Sequence, residues 1–140
     1  MTDKERPTIL AIDPGGRRYG VAIADLETRF ARPLEVIDAT LQDPIARIAD
    51  LIRDCKVVRV VVGRPVALSG SNGPAVAGNR EFIEKLGDLG IEVVEHDERL
   101  TTVIAEQGLR AGGSKRATRE RLRDAVAAQV LLQHFLDSQR

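Results

Sequence analysis

Three acids in this chain stand where a carboxylate is hard to leave unattended. Asp13 closes the apolar run Ile9-Leu10-Ala11-Ile12, Glu98 lies in His96-Asp97-Glu98-Arg99-Leu100-Thr101-Thr102, and Asp124 opens the apolar part of a long helical stretch. A charge beside an apolar core must be paired, protonated or bound to a cation. Three such acids, brought to one point, would make a metal site of hard oxygen donors, the kind that Mg²⁺ and Mn²⁺ prefer. Each acid also has a simpler reading. Asp13 could cap its own backbone in an Asp-Pro-Gly turn. Glu98 could face the start of a helix opened by Thr101 or Thr102. Asp124 could pair with Arg121 or Arg123 on its own helix.

Cations gather ahead of Asp124. Arg110, Lys115, Arg116, Arg119, Arg121 and Arg123 face a single acid, Glu120, within fourteen residues. Such a run is a solvated face or a phosphate-binding surface, and Gly112-Gly113 inside it favours a mobile arm. A second candidate is the loop that begins Gly63-Arg64-Pro65 and runs through Ser69-Gly70-Ser71-Asn72-Gly73, because ligands favour the carboxyl ends of parallel strands. The alternative is a plain surface loop. Nothing in their spacing makes His96 and His134 metal ligands. Cys55 stands alone, which excludes a disulfide framework, and its place on a helix beside Leu51 and Ile52 suits core packing.

The elements that must position these residues follow from hydrophobic periodicity. Residues 8–13 read as a buried strand running into a tight turn at Asp-Pro-Gly-Gly, and Tyr19–Ala24 as its hairpin partner across a long glycine-rich connection. Residues 29–38 supply a third strand, with Pro33 marking an edge or an irregular start. Asp43-Pro44 is an N-cap followed by proline at the first helical position, opening a helix through residue 55. Val57–Val62 reads as a strand buried on both faces. Ala75, Val76, Asn79, Phe82, Ile83 and Leu86 trace a second helix, stopped by Gly87 and Gly90. Ile91–Val94 gives a fifth strand, a short helix runs from Thr101 or Thr102 to Gly112-Gly113, and a last helix spans about 118–137. Helices between the later strands force those strands to be parallel. The expected product is one α/β domain over residues 1–140, a mixed five-stranded sheet with helices on its faces and loose ends at 1–7 and 138–140.

Composition narrows the function. The 140 residues are 43% hydrophobic and 30% charged, with zero formal net charge, which argues against coating nucleic acid by bulk charge. The charge is uneven: residues 98–140 hold eight basic and five acidic side chains. Aromatic residues are scarce, so no stacking platform for bases is expected. The charged start and the lack of a long apolar run predict a cytoplasmic protein that does not enter membranes.

Four motifs in this order, Asp13-x-Gly15 with Gly20-Val21-Ala22, Val62-Gly63-x-Pro65, Asp97–Thr102, and Asp124-x-Ala-x-Ala-Ala-x-x-Leu-Leu, resemble the YqgF/RuvX family of pre-16S rRNA nucleases and Holliday junction resolvases. The resemblance covers residues 8 to 137. It implies an RNase H-like fold with sheet order 3-2-1-4-5, and it makes Asp13, Glu98 and Asp124 the acidic triad, both catalytic and metal-binding. Glu98 would then reach across Gly63 from the fifth strand, about 10 Å from the first at ordinary strand spacing. The family usually has leucine between Gly63 and Pro65, where this chain has Arg64. Two divalent ions about 4 Å apart would serve phosphodiester hydrolysis, with Arg64, Arg110, Lys115, Arg116, Arg119 and Arg123 holding the nucleic-acid backbone. The expected function is processing of the 5′ end of pre-16S rRNA. A four-way DNA junction resolvase is the second reading and a non-catalytic nucleic-acid-binding module the third. Half of an actin-like ATPase is disfavoured, since no second nucleotide-clamping domain is present. The assembly is a monomer or, for a resolvase cutting two symmetric strands, a homodimer.

Overall fold

The computed structural model describes residues 6–64, 74–97 and 116–139, with backbone alone at 74–78, 97 and 116–123. Five strands, β1 (Thr8–Gly15), β2 (Arg18–Asp25), β3 (Ala31–Asp38), β4 (Val57–Arg64) and β5 (Glu92–Asp97), form one sheet in the order β3-β2-β1-β4-β5. The first three make an antiparallel meander, and β4 and β5 join β1 in parallel. Helices α1 (Pro44–Asp54) and α2 (Pro74–Gly87) connect the later strands, and α3 (Arg116–Ser138) follows. This is the RNase H-like sheet order that the sequence motifs implied. The expected short helix after Thr101 lies outside the described residues.

Local chemistry explains the boundaries. Asp43 caps α1 by accepting a hydrogen bond from the Ile45 N–H, with proline at the first helical position where its missing donor is not needed. Cys55 ends that helix as its C-cap and packs against the core as a free thiol. Pro33 sits on edge strand β3, where the register with β2 slips between Val21 and Ala22. One expectation needs correction. β1 does not turn at Asp13-Pro14-Gly15; the ladder with β2 continues through Pro14↔Tyr19 and Gly15↔Arg18. The chain reverses at Gly16-Arg17, with Gly16 at a φ of 73°. A two-residue connection with glycine first matches the twist of the strands better than a longer loop. A second correction concerns β4, where Val58 is exposed and two-sided burial begins only at Val60.

Strand alternation sorts the core into two layers. Leu10, Ile12, Val21, Ile23, Val60 and Val62 pack with α1 and α2 through Ile48, Leu51, Phe82 and Leu86. Ile9, Ala11, Ala22, Ala24, Ala31 and Val61 pack with α3 through Ala128, Leu131, Leu132, Phe135 and Leu136. The sheet therefore offers bulky side chains to one side and mostly alanine to the other.

Candidate carboxylate site

Ile9, Ala11 and Asp13 share a parity on β1, so Asp13 lies on the α3 side of the sheet, half-buried at the carboxyl end of its strand. The β1–β4 ladder ends at Ile12↔Val62, one residue before it. Directly across β2 from Asp13 is Gly20. A side-chain carbon at Gly20 would collide with the backbone carbonyl of Asp124. The absent side chain thus lets the α3 backbone touch β2 beside Asp13. Asp124 begins the stripe that continues through Ala127, Ala128, Leu131, Leu132 and Phe135, all buried. Two acids from the first strand and the last described helix are brought to the same end and face of the sheet.

Their charge is not left to water. The Asp124 side chain is only 14% exposed, and its Oδ2 lies 3.0 Å from Nε of Arg18 on β2. The pairing that the sequence suggested, with Arg121 or Arg123, concerns side chains outside the described set. Arg18 was missed because its partner is remote in sequence; the available signal was its parity with Gly20, Ala22 and Ala24.

The remaining candidates divide. Glu98, Arg110 and Lys115 lie outside the described residues. Arg116, Arg119 and Arg123 occupy the first turns of α3. Arg64 ends β4, exposed and in register with Asp97, but its parity with Val60 and Val62 puts it on the α1/α2 side, opposite Asp13. Gly63 shares the α3 side with Val61, and its carbonyl is 3.5 Å from Nδ2 of the buried Asn79. Among the described residues no group of three or more His, Cys, Asp or Glu could hold a metal ion. His96 and His134, which spacing left apart, meet across β5 and α3 with Nε2 and Nδ1 2.7 Å apart. One ring donates and the other accepts. The rings of Phe135 and His96 meet nearly at right angles, with centroids 5.6 Å apart.

Polar side chains hold α3 in place farther along. The Ala31 N–H donates to Oε1 of Gln133 at 2.9 Å, Gln133 Nε2 donates to the Arg29 carbonyl at 3.2 Å, and Gln129 Nε2 donates to the Ala31 carbonyl at 3.1 Å. Arg29 returns a bond to the Leu136 carbonyl at 2.9 Å. The helix is thereby fixed in register against edge strand β3.

A mixed sheet in the order 3-2-1-4-5, with Asp13 and Asp124 near the end of its central strand, defines an RNase H-like α/β fold. Residues 7–138 match the family model described as RuvX: Holliday junction resolvase, and the chain belongs to that family. It is 46% identical over 135 residues to a protein of Chloroflexus aggregans named "Putative pre-16S rRNA nuclease", covering 95% of each chain. A Streptomyces coelicolor protein of the same name is 40% identical over 135 residues, 94% of this chain and 80% of that one. In fold the chain is similar to T. thermophilus RuvC in complex with a Holliday junction substrate, with a TM-score of 0.56, 20% identity and coverage of 94% and 95%. It is also similar to the large terminase nuclease of the thermophilic phage G20c, with a TM-score of 0.55, 20% identity and coverage of 93% and 82%. No helix among the described residues is long and apolar enough to cross a membrane.

Proposed function

We propose that the protein is a divalent-metal-dependent nuclease that hydrolyses phosphodiester bonds at the site built around Asp13 and Asp124, and that its substrate is the 5′ end of pre-16S rRNA. The observation that carries this reading is the contact between Gly20 and the Asp124 backbone, directly across the ladder from Asp13. The donor set fits a hard divalent cation. Both groups are carboxylates, Asp124 is largely buried, and a cation already stands against it in the form of Arg18. Asp13, Asp124 and Glu98, which directly follows β5 in sequence, would hold Mg²⁺ or Mn²⁺. When bound, such ions stabilise the charge that builds on the phosphate and make water a better nucleophile.

The protein's own residues do the rest. Asp13 and Asp124 orient the reacting centre from a rigid strand and a rigid helix. Arg116, Arg119 and Arg123 put positive charge at the N-terminal end of α3, where the first turn carries no acid. Cations there oppose the helix dipole, and phosphates approaching that end would relieve both. Arg110, Lys115 and, from the opposite side of the sheet, Arg64 would extend the contact along the backbone. With few aromatic residues, recognition rests on backbone and shape rather than on base identity.

The RuvX family description favours a second reading, cleavage of four-way DNA junctions by the same chemistry. One experiment tests both. Metal-loaded wild type, Asp13→Asn and Asp124→Asn are assayed on a ribosomal precursor fragment and on a four-way junction. Cleavage of the RNA by wild type alone supports the proposal, and cleavage of the junction alone supports the second reading. Turnover retained in both variants would overturn the carboxylate site itself.

A further inference from the structure

Two arginine–carboxylate pairs in this protein are built differently. Arg47 meets Glu35 with a two-pronged contact, Nε to Oε2 at 2.9 Å and Nη2 to Oε1 at 2.7 Å, pinning α1 to β3. Hydrogen bonding to Glu35 raises the Arg47 pKa above its ordinary value. That is a structural clamp. Arg18 meets Asp124 with its Nε 3.0 Å from Oδ2, from the strand residue that follows the Gly16-Arg17 reversal. It lies on the same face as Asp13 and Gly20, at the end of the sheet where a phosphate must arrive for attack.

We propose that Arg18 is the exchangeable counter-cation of the carboxylate site. It neutralises Asp124 while no divalent ion is bound, yields that carboxylate to the ion, and then carries its charge to the phosphate of the substrate. This inference rests on the carboxylate reading above. A guanidinium and a divalent ion repel each other strongly at the same carboxylate, so the two compete for Asp124. A planar guanidinium displaced by that competition is well shaped for phosphate oxygens. The exchange couples two equilibria: metal binding strengthens nucleic-acid binding, and by linkage nucleic acid strengthens metal binding by the same factor.

The test uses the full chain, stripped of metal, with Mn²⁺ and a phosphorothioate-linked RNA oligonucleotide as probes. Calorimetric titration with Mn²⁺ should show Arg18→Ala binding the ion roughly tenfold more tightly than wild type, because a competing charge has gone. Arg18→Lys should stay within about threefold of wild type, since it keeps the charge. Wild type should also bind the RNA more tightly with Mn²⁺ than without, and Arg18→Ala should lose most of that gain. Arg18→Gln, which keeps chain length, replaces Arg18→Ala should the latter fail to fold. Equal or weaker Mn²⁺ affinity in the charge-removing variant would overturn the exchange, as would a Mn²⁺-dependent RNA gain that is unchanged by it. Asp124→Asn separates the two levels of the argument. Loss of Mn²⁺ binding in that variant alone would leave the carboxylate site standing and sink the role of Arg18. Wild-type Mn²⁺ affinity in it would overturn both.

Discussion

The two sides of the sheet are packed by opposite rules. Toward α1 and α2 the strands present Leu10, Ile12, Val21, Ile23, Val60 and Val62, and the helices ride on that bulk. Toward α3 they present, beside Ile9 and Val61, the small Ala11, Ala22, Ala24 and Ala31, and at Gly20 no side chain at all. The first side gains stability from apolar area removed from water. The second gives up some of that area to let a helix backbone come within contact of a strand. What it obtains is position, because the residue whose backbone meets Gly20 is Asp124. Volume stabilises one side, and proximity places the acids of the other.

The strongest way to break this contrast is to add one methyl group at the point of contact. Gly20→Ala places a carbon against the Asp124 carbonyl, a backbone atom that cannot rotate away. We expect a loss of about 3 kcal/mol or more, the upper range of overpacking costs, together with cleavage reduced to background. Denaturant melting and a nuclease assay on the same preparation measure both. A variant that keeps full activity would show that α3 need not touch β2 for the site to work.

Neighbouring positions on β2 sharpen the comparison. Ala22 points to α3 and Ile23 to the opposite side, and both are buried. Ala22→Val should cost about 1–3 kcal/mol by overpacking and lower cleavage by more than its loss of stability explains, because it lifts α3. Ile23→Val should cost about 0.5–1.5 kcal/mol from a lost methylene and leave turnover in the folded fraction unchanged. Equal effects on turnover from the two variants would erase the distinction between the sides.

The smallest effect belongs to a turn outside both layers. Hydrogen bonds from the Thr40 hydroxyl and N–H, with help from Arg17, hold the Asp38 carboxyl below its usual value of 3.8. A depressed folded pKa means that this stabilisation is present above the unfolded value and is lost as pH falls through the folded one. Asp38→Asn should therefore lower stability slightly in the neutral range, where the charged carboxylate contributes, and flatten the acid limb toward the unchanged acid extreme, with the cleavage rate as it was. Melting curves between pH 2 and pH 5, on the order of the carboxylate range, would detect it. An acid limb as steep as wild type would assign that slope to other carboxylates.

Most of the fold was legible in the sequence because its signals are local. Asp43-Pro44 marks a helix start wherever it docks, and a β-branched run such as Val57–Val62 reads as strand without knowledge of its neighbours. The hairpin was misplaced by two residues for a related reason. Asp13-Pro14-Gly15 carries strong turn chemistry, but pairing with Arg18 and Tyr19 extends the strand past it. At the site, Asp13 and Asp124 were visible as acids out of keeping with their surroundings. Arg18 was not, because a cation near a hairpin looks ordinary until a helix from the far end of the sequence lands on it. The same holds for His96 and His134, joined only by the docking of α3 on β5. The clamp formed by Gln129 and Gln133 was hidden as well, since two amides on a helix do not announce which strand they will hold.

The position of α3 has a consequence for synthesis on the ribosome. The meander that carries Asp13 and Gly20 emerges first, and the helix that carries Asp124 emerges last among the described elements. Only when α3 docks, with Gln129 and Gln133 gripping β3 and Arg18 meeting Asp124, does Asp124 come against Gly20. A growing chain can therefore complete its whole sheet and still lack Asp124 of the proposed site. A chain released upstream of α3 would have its strands but lack Asp124, with its alanine-lined side open to water. The proposed carboxylate pair is therefore assembled by the docking of α3 and not by the sheet alone.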